Sequence, residues 1–240
     1  MAKDPHAKQI KALQASGVRR LAITTVNHAG QTLVKSVPLA RLAEAVSEGV
    51  GLSPVSDAFL VDGSIDPAHR LARPDSDLRL VAEANRLALL DGPAGWAWAP
   101  GNRHDRQGQP YPGDQRSFCQ QQLAILQAHQ LELLSGFEIE WVLGSPTGEG
   151  IAGGPYGADR LIQGLDYLSS LGDALDAAGI GWLQLHPEYG PSQFELSLAP
   201  LDPLAAADQL VLAKLVILRV SQRFGWRCSF SPVVDPALVG

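Results

Sequence analysis

The sequence predicts a protein of the α+β class, and three observations carry that prediction. Two strand-like runs, at residues 18–26 and 31–37, flank a turn and lead into a helical segment at 39–48. Later strand-like runs alternate polar with apolar residues, as the strands of an antiparallel sheet do. Long segments with helical periodicity lie beside those runs. We therefore expect a hairpin-and-helix start, followed by an antiparallel sheet with flanking helices.

The first part of the chain is predicted to hold a short helix, the hairpin and further strands. Ile10 and Leu13 recur at helical spacing, which predicts a surface helix over 5–16. The stretch 53–115 is rich in Pro, Gly and Asp, which favours long loops. Within it we predict strands at 78–81, 86–90 and 95–99.

A helix predicted over 117–129 lies close to a change in composition, and we place a domain boundary just before it. The predicted domains are 1–112 and 113–240. The second domain is expected to hold, in order, a strand at 132–143, a helix at 161–178, strands at 181–186 and 193–198, a helix at 202–224 and a strand at 227–231. A Gly- and Pro-rich connection at 144–157 is predicted to be mobile.

Charge and composition exclude several classes of partner. The net charge is −6 and no cluster of Lys or Arg occurs, which argues against nucleic acid and anionic membranes as partners. The longest apolar stretch, 210–220, is interrupted by Lys214 and Arg219 and is too short to span a bilayer. The charged start lacks the apolar core of a secretory signal. Two cysteines without metal-type spacing fit a reducing compartment, so we expect a soluble, cytoplasmic protein.

Two short acidic strings are the candidate functional motifs. In the first, alternation places Glu138 and Glu140 on one face of a strand, roughly 6 to 7 Å apart. Carboxylates at that spacing repel one another unless a cation lies between them. Hard cations such as Mg²⁺ and Mn²⁺ prefer oxygen ligands and leave room for phosphate oxygens. The string therefore indicates a divalent-metal site and phosphoryl chemistry.

The second string contributes Glu188 and Glu195. If the strands at 181–186 and 193–198 pair as antiparallel neighbours, these two glutamates lie close across the turn and share a face with the first pair. The spacing alone also fits glutamates on the solvent side of an antiparallel sheet. Glutamate is depleted in strands, however, so four of them on a few short strands favour a site.

Other motifs are weaker. Residues 148–154 are rich in glycine, but no Gly-Lys-Ser/Thr follows, so we interpret them as a flexible loop. His186 alternates onto the face of Glu188 and is either a ligand, a neighbour of the ligands or a structural histidine. Three arginines in a polar region, Arg103, Arg106 and Arg116, are expected to be solvated.

Several motifs in order resemble the N-terminal part of glutamine synthetase. The string Gly136-Phe137-Glu138-Ile139-Glu140-Trp141 is similar to the family's Gly-x-Glu-x-Glu-Phe motif. His186-Pro187-Glu188, followed by Ser192-Gln193-Phe194-Glu195, is similar to its second acidic motif. Further similarities lie at Gly30, Lys35, Val37-Pro38, Pro74-Asp75, 108–116, Ala207-Asp208, Lys214, Arg223-Phe224-Gly225 and Cys228-Ser229-Phe230-Ser231-Pro232.

The resemblance implies a fold and an activity. It implies a β-grasp-like N-terminal domain, then a partial catalytic domain with an antiparallel sheet and flanking helices. The implied activity is an ATP-dependent ligase that joins ammonia or an amine to the γ-carboxyl of glutamate, using Mg²⁺ or Mn²⁺. Glu140, Glu188 and Glu195 would hold the metal that faces the amino acid, and Glu138 would contribute to the metal on the ATP phosphates. The N-terminal domain would complete a neighbour's site, which implies a homo-oligomer of the full-length form.

The sequence also departs from the family pattern. It lacks the glycine-rich loop, histidine ligand, later glutamate, arginine clamps and acidic flap, so we expect an N-terminal portion that is inactive alone. The alternative is a non-catalytic half-synthetase that acts as an interaction or regulatory module. His69 stands where the family has an aspartate that helps to bind ammonium, and Val233 stands where a lysine is common. Both favour a different acceptor amine or lost catalysis, and the apolar end at 233–239 predicts self-association.

Overall fold

The computed structural model describes residues 7–71, 77–91, 93–145 and 150–234. It divides into two compact units, Met1–Leu131 and Glu132–Gly240. Three features of the sequence lie outside the described residues. They are the similarity at Pro74-Asp75, residues 146–149 of the connection predicted to be mobile, and residues 235–239 of the apolar end. The assignment of domains to 1–112 and 113–240 stays a prediction.

The first unit is built on a six-stranded mixed sheet. Its strands are β1 (Arg20–Val26), β2 (Thr32–Pro38), β3 (Val50–Leu52), β4 (Leu78–Ala82), β5 (Ala88–Asp91) and β6 (Trp96–His104), and its helices are α1 (Ala7–Ala15), α2 (Leu42–Ser47) and α3 (Gln115–Ala128). The strand order is β2-β1-β6-β4-β3, and β5 also pairs with β6. Strands β1 and β6 run parallel, and the other pairs are antiparallel. The predicted hairpin and helices are confirmed, whereas the three-residue strand β3 was not predicted.

The core of this unit lies where α2 covers the sheet. Leu21, Ile23, Leu42 and Leu80 are fully buried there. Gly101 on β6 lies so close to β4 that an added Cβ atom would be 2.5 Å from the Leu80 side chain. Only glycine allows this approach, and the sheet is thus tightly packed at its centre.

Arg103 corrects the expectation that the arginines of this region are solvated. Its side chain, at the end of β6, is fully buried, and its Nη1 atom lies 2.6 Å from Asp57 Oδ1. Its Nε atom lies 3.2 Å from Asp114 Oδ1, and its Nη2 atom donates to the Gly113 carbonyl. Asp114 also caps α3 by accepting from the Ser117 amide at 2.9 Å. The buried ion pairs therefore join three chain segments of the first unit.

The second unit is an antiparallel sheet with helices on one side. The strands are β7 (Glu138–Gly144), β8 (Trp182–Pro187), β9 (Gln193–Leu198) and β10 (Arg227–Ser229), and the helices are α4 (Ala158–Gln163), α5 (Leu165–Ala177) and α6 (Pro203–Arg223). The strand order is β10-β7-β9-β8. Strands β8 and β9 pair antiparallel, which is the condition on which the closeness of Glu188 and Glu195 depended. One sheet face is apolar and packs on α5 and α6, which leaves the other face for polar residues.

Two predicted elements of the second unit have different bounds. The first strand begins at Glu138 rather than at 132. The helix predicted over 161–178 is two helices, α4 and α5, that meet at Gly164. A Cβ atom added at Gly164 would be 3.3 Å from the Phe194 ring, so the two helices meet where the backbone lies close to the core. The α+β class with an antiparallel sheet is confirmed, and the β-grasp-like description stays a prediction. In the described part of the chain, every helix is too short or too polar to cross a membrane.

Candidate metal-binding site

A row of three polar side chains crosses the outer face of the second sheet. In the strand register, Glu140 on β7 lies opposite Glu195 on β9, and Glu195 lies opposite His186 on β8. Directly opposed residues of antiparallel strands point to the same face, with Cβ atoms about 4.5–5.5 Å apart. Phe194 and Leu196, which alternate with Glu195, are fully buried on the other face. Burial of Phe194 and Leu196 on one face of β9 therefore holds Glu195 on the opposite face.

His186, Glu188 and Glu195 form the tightest cluster of potential metal ligands in the described residues. One ligand atom of each lies within 4.8 Å of the others. His186 Nδ1 is 3.5 Å from Glu188 Oε1, and His186 Nε2 is 3.7 Å from Glu195 Oε1. The two carboxylate side chains are only 9% and 13% exposed. Two largely buried carboxylates and an imidazole around one point fit a divalent cation in ligand chemistry.

The electrostatics of Glu195 agree with that fit. Burial raises the pKa of Glu195, His186 partly offsets the effect, and the charges of Glu138 and Glu188 add to it. The carboxylate is therefore held in surroundings that disfavour its negative charge. A bound cation would remove this penalty by favouring the ionised form.

Gln193 organises the part of the site nearest Glu140. Its Nε2 atom donates to Glu140 Oε2 at 2.6 Å, and its Oε1 atom accepts from the Gly190 amide at 2.6 Å. The side chain is nearly fully buried. The amide thus fixes the Glu140 carboxylate and ties it to the turn that carries Glu188. No role was predicted for Gln193 from the sequence, although it lies two positions from Glu195 and therefore on the same face of β9.

Two tyrosines border the cluster and were also missed. The Tyr156 ring centre lies 6.2 Å from that of His186 and 5.3 Å from that of Tyr189, which it meets edge to face. Loss of solvation and the charge of Glu188 raise the pKa of the Tyr156 phenol, which favours its neutral form. Tyr156 has a positive φ of 54°, which is uncommon for a bulky residue. Its position in a Gly-rich connection gave no periodic signal that could have identified it.

Glu138 is not one of the three clustered residues, although its charge acts on Glu195. It is paired with Ser197 across β7 and β9, and it is exposed. Together with Glu140 it lines a cavity of about 450 Å³, which Lys214 and Phe230 also border. The structure therefore brings Glu188 and Glu195 together with His186 and places Glu140 beside them through Gln193. Glu138 and Glu140 both line the adjoining cavity.

The fold and the cluster together define a class of protein. It is an α+β protein whose antiparallel sheet presents carboxylates, the ligands that hard divalent cations favour, beside an imidazole. The sequence model for the glutamine synthetase catalytic domain matches residues 112–240. The chain belongs to the glutamine synthetase family, as its motifs predicted.

Individual relatives agree with this assignment. The chain is 41% identical over 229 residues to the gamma-glutamylpolyamine synthetase GlnA3 of Streptomyces coelicolor. This alignment covers 92% of the chain and 49% of that protein. It is 23% identical over 273 residues to a gamma-glutamylanilide synthase of an Acinetobacter species, covering 99% of the chain and 54% of that protein. A solved structure of a novel glutamine synthase homolog superimposes with a TM-score of 0.86 at 28% identity, covering 92% of the chain and 53% of that structure. The chain thus spans about half the length of these two curated relatives.

Proposed function

We propose that the chain is part of a glutamine-synthetase-like, ATP-dependent ligase that joins an amine to the γ-carboxyl of glutamate. The observation that supports this best is the His186, Glu188 and Glu195 cluster on a rigid sheet. In the proposal, Glu140, Glu188 and Glu195 hold one Mg²⁺ or Mn²⁺ ion, and Glu138 contributes to a second. We further propose that the full-length form works in the cytoplasm as a homo-oligomer.

The proposed roles follow from what each side chain contacts. A divalent ion, when bound, would neutralise charge on carboxylate and phosphate oxygens during phosphoryl transfer. Glu195 on β9 and Glu188, in the turn just after β8, would enclose the ion, and His186 lies between their carboxylates. Gln193 keeps Glu140 in one orientation through a bond of 2.6 Å. The groups are thus held before substrate arrives, which lowers the cost of organising them.

An amine larger than ammonia is the proposed acceptor. Aromatic rings beside carboxylates attract ammonium groups, and Tyr156 and Tyr189 stand in that relation to Glu188. His69 Nδ1 accepts from the Leu71 amide at 3.2 Å, so this atom stabilises its own loop and supplies no negative charge. The Streptomyces coelicolor relative is a gamma-glutamylpolyamine synthetase by name.

Loss of a cluster carboxylate is expected to weaken metal binding. We expect Glu188→Gln to raise the Kd for Mn²⁺ at least about tenfold, because even neighbours of metal ligands contribute about 10–100-fold in affinity. Titration calorimetry of the 240-residue chain with Mn²⁺ measures this directly. Glu132→Gln, at an exposed position before β7, is the matched control and should leave the Kd unchanged. Equal Mn²⁺ affinity of Glu188→Gln and wild type would contradict the metal site.

These 240 residues alone are expected to lack ligase activity. Their sequence carries neither the arginine clamps nor the remaining ligands that the family resemblance requires, so the charge of the transition state is incompletely stabilised. Phosphate release with ATP, glutamate and a polyamine should not exceed the rate without glutamate. Steady release that depends on glutamate would refute the expectation, whereas Mn²⁺ binding without turnover is compatible with it and with the interaction-module alternative.

A further inference from the structure

Arg160 on α4 is a buried cation next to the proposed metal site that the mechanism above does not use. Its side chain is fully buried. Nη1 donates to the carbonyls of Glu188 and Gly190, the latter at 2.6 Å, and Nη2 donates to the Gly153 carbonyl at 2.7 Å. The guanidinium therefore bonds to the backbone on both sides of Tyr189 and to the connection that precedes α4.

The partners of Arg160 are unusual for a buried charge. In the described part of the chain, its hydrogen bonds end on carbonyls rather than carboxylates, and Nε has no partner. Burying a cation without a counter-ion is costly unless well-placed hydrogen bonds offset the loss of water. An apolar residue could fill the same core position without the free-energy cost of burying a charge. The arginine is therefore best explained by what its bonds hold in place.

The segment held by Arg160 is connected to two carboxylates of the proposed metal site, those of Glu188 and Glu140. Glu188 belongs to it directly. Gly190, whose carbonyl Arg160 binds, donates its amide to Gln193, and Gln193 donates to Glu140. On the opposite side, the Ile151 amide donates to Ser192 Oγ at 2.7 Å, which fixes the end of the same turn. The contacts form one continuous frame from α4 to β7.

We propose that Arg160 is a positioning residue that sets the spacing of the metal-binding carboxylates. By holding the Glu188 and Gly190 carbonyls, it keeps the Glu188 carboxylate beside His186 and Glu195 and, through Gln193, orients Glu140. This inference rests on the proposed metal site. Lysine is a poor replacement, because its single nitrogen would have to reach all three carbonyls, which arginine binds from two nitrogens of a planar guanidinium.

Mn²⁺ titration of Arg160 variants tests the inference on the intact 240-residue chain. We expect Arg160→Lys to raise the Kd for Mn²⁺ about tenfold and Arg160→Gln to raise it further, in the range known for groups that orient metal ligands. Titrations are run at a temperature where circular dichroism shows each variant to be folded. If Arg160→Gln does not fold, Arg160→Lys decides the matter.

Arg103 supplies a matched control, since it is also a fully buried arginine but belongs to the other unit. Arg103→Lys should lower the melting temperature and leave the Kd for Mn²⁺ unchanged. If Arg160→Lys lowers the melting temperature but leaves the Kd for Mn²⁺ at the wild-type value, Arg160 has only a structural role. That result would overturn the inference. If wild type binds Mn²⁺ no better than Glu188→Gln, the proposed metal site fails and the role of Arg160 fails with it.

Discussion

Arg103→Met is expected to destabilise the first unit by about 3–5 kcal/mol, the range for removing one partner of a buried ion pair. The side chains of Arg103 and Asp57 are both fully buried, and their charged atoms lie 2.6 Å apart. Without the guanidinium, Asp57 and Asp114 would remain as two uncompensated charges in a region that water does not reach. Asp57 Oδ2 already has no hydrogen-bond partner among the described residues, so the aspartate depends strongly on this arginine.

Hydrogen exchange can assign this loss to one unit. Peptides from β6 should lose protection in Arg103→Met, while peptides from β9 in the second unit keep theirs. Arg106→Met is the control, because Arg106 lies three positions along the chain, is 67% exposed and is 3.7 Å from Asp77. Exposed pairs contribute about 0–1 kcal/mol, so its removal should change little. Equal effects of the two substitutions would show that the buried ion pair is not needed for stability.

Arg103 also shows where sequence reasoning failed and why. Its neighbours along the chain are polar, which indicated a solvated loop. Its partner Asp57 is 46 positions away, and no local pattern reports a pairing over that distance. The same limit applies to Arg160, whose acceptor on Glu188 is 28 positions away. Periodicity identifies which face a residue occupies, but it does not identify what the fold brings against that face.

The strands of the second unit were predictable because each has two chemically different faces. Strand β9 was predicted with the bounds that the structure shows, since Phe194, Leu196 and Leu198 alternate with polar residues. The break at Gly164 was not predicted, because apolar periodicity continues from α4 into α5. At the break, the Gly164 backbone approaches Phe194, which lies in a different element and leaves no local signal in the sequence.

The candidate site was predictable only in part. Alternation and family resemblance identified the four glutamates, and the register then placed Glu140 opposite Glu195. The groups that orient them, Gln193 and Arg160, act through hydrogen bonds between separate segments. Charged residues in or beside a strand are unusual enough to be recognised in the sequence. The role of a buried amide or guanidinium can be assigned only when its hydrogen-bond acceptors are known.

Phe194→Ala is expected to destabilise the second unit by about 3–5 kcal/mol, the usual cost of removing a buried phenylalanine ring. Phe194 is fully buried, and its ring centre lies 6.0 Å from that of Trp141 and 6.2 Å from that of Tyr167. The side chain also lies against the backbone of Gly164, so the surrounding atoms cannot easily move inward to fill the cavity. Denaturant unfolding followed through β9 amide exchange measures the loss in this unit.

The stability gained on adding Mn²⁺ distinguishes the loss of core packing in Phe194→Ala from the loss of metal binding in Glu188→Gln. A ligand that binds only the folded state adds about 2.7 kcal/mol at a hundred times its Kd. Because the Phe194 ring lies on the face opposite Glu195, Phe194→Ala should retain this increment, while Glu188→Gln should lose at least about half of it at the same Mn²⁺ concentration. Phe194→Leu, which keeps much of the apolar volume, is the control and should be destabilised less than Phe194→Ala. A loss below about 1 kcal/mol in Phe194→Ala would mean that the acidic face does not depend on this core contact for its support.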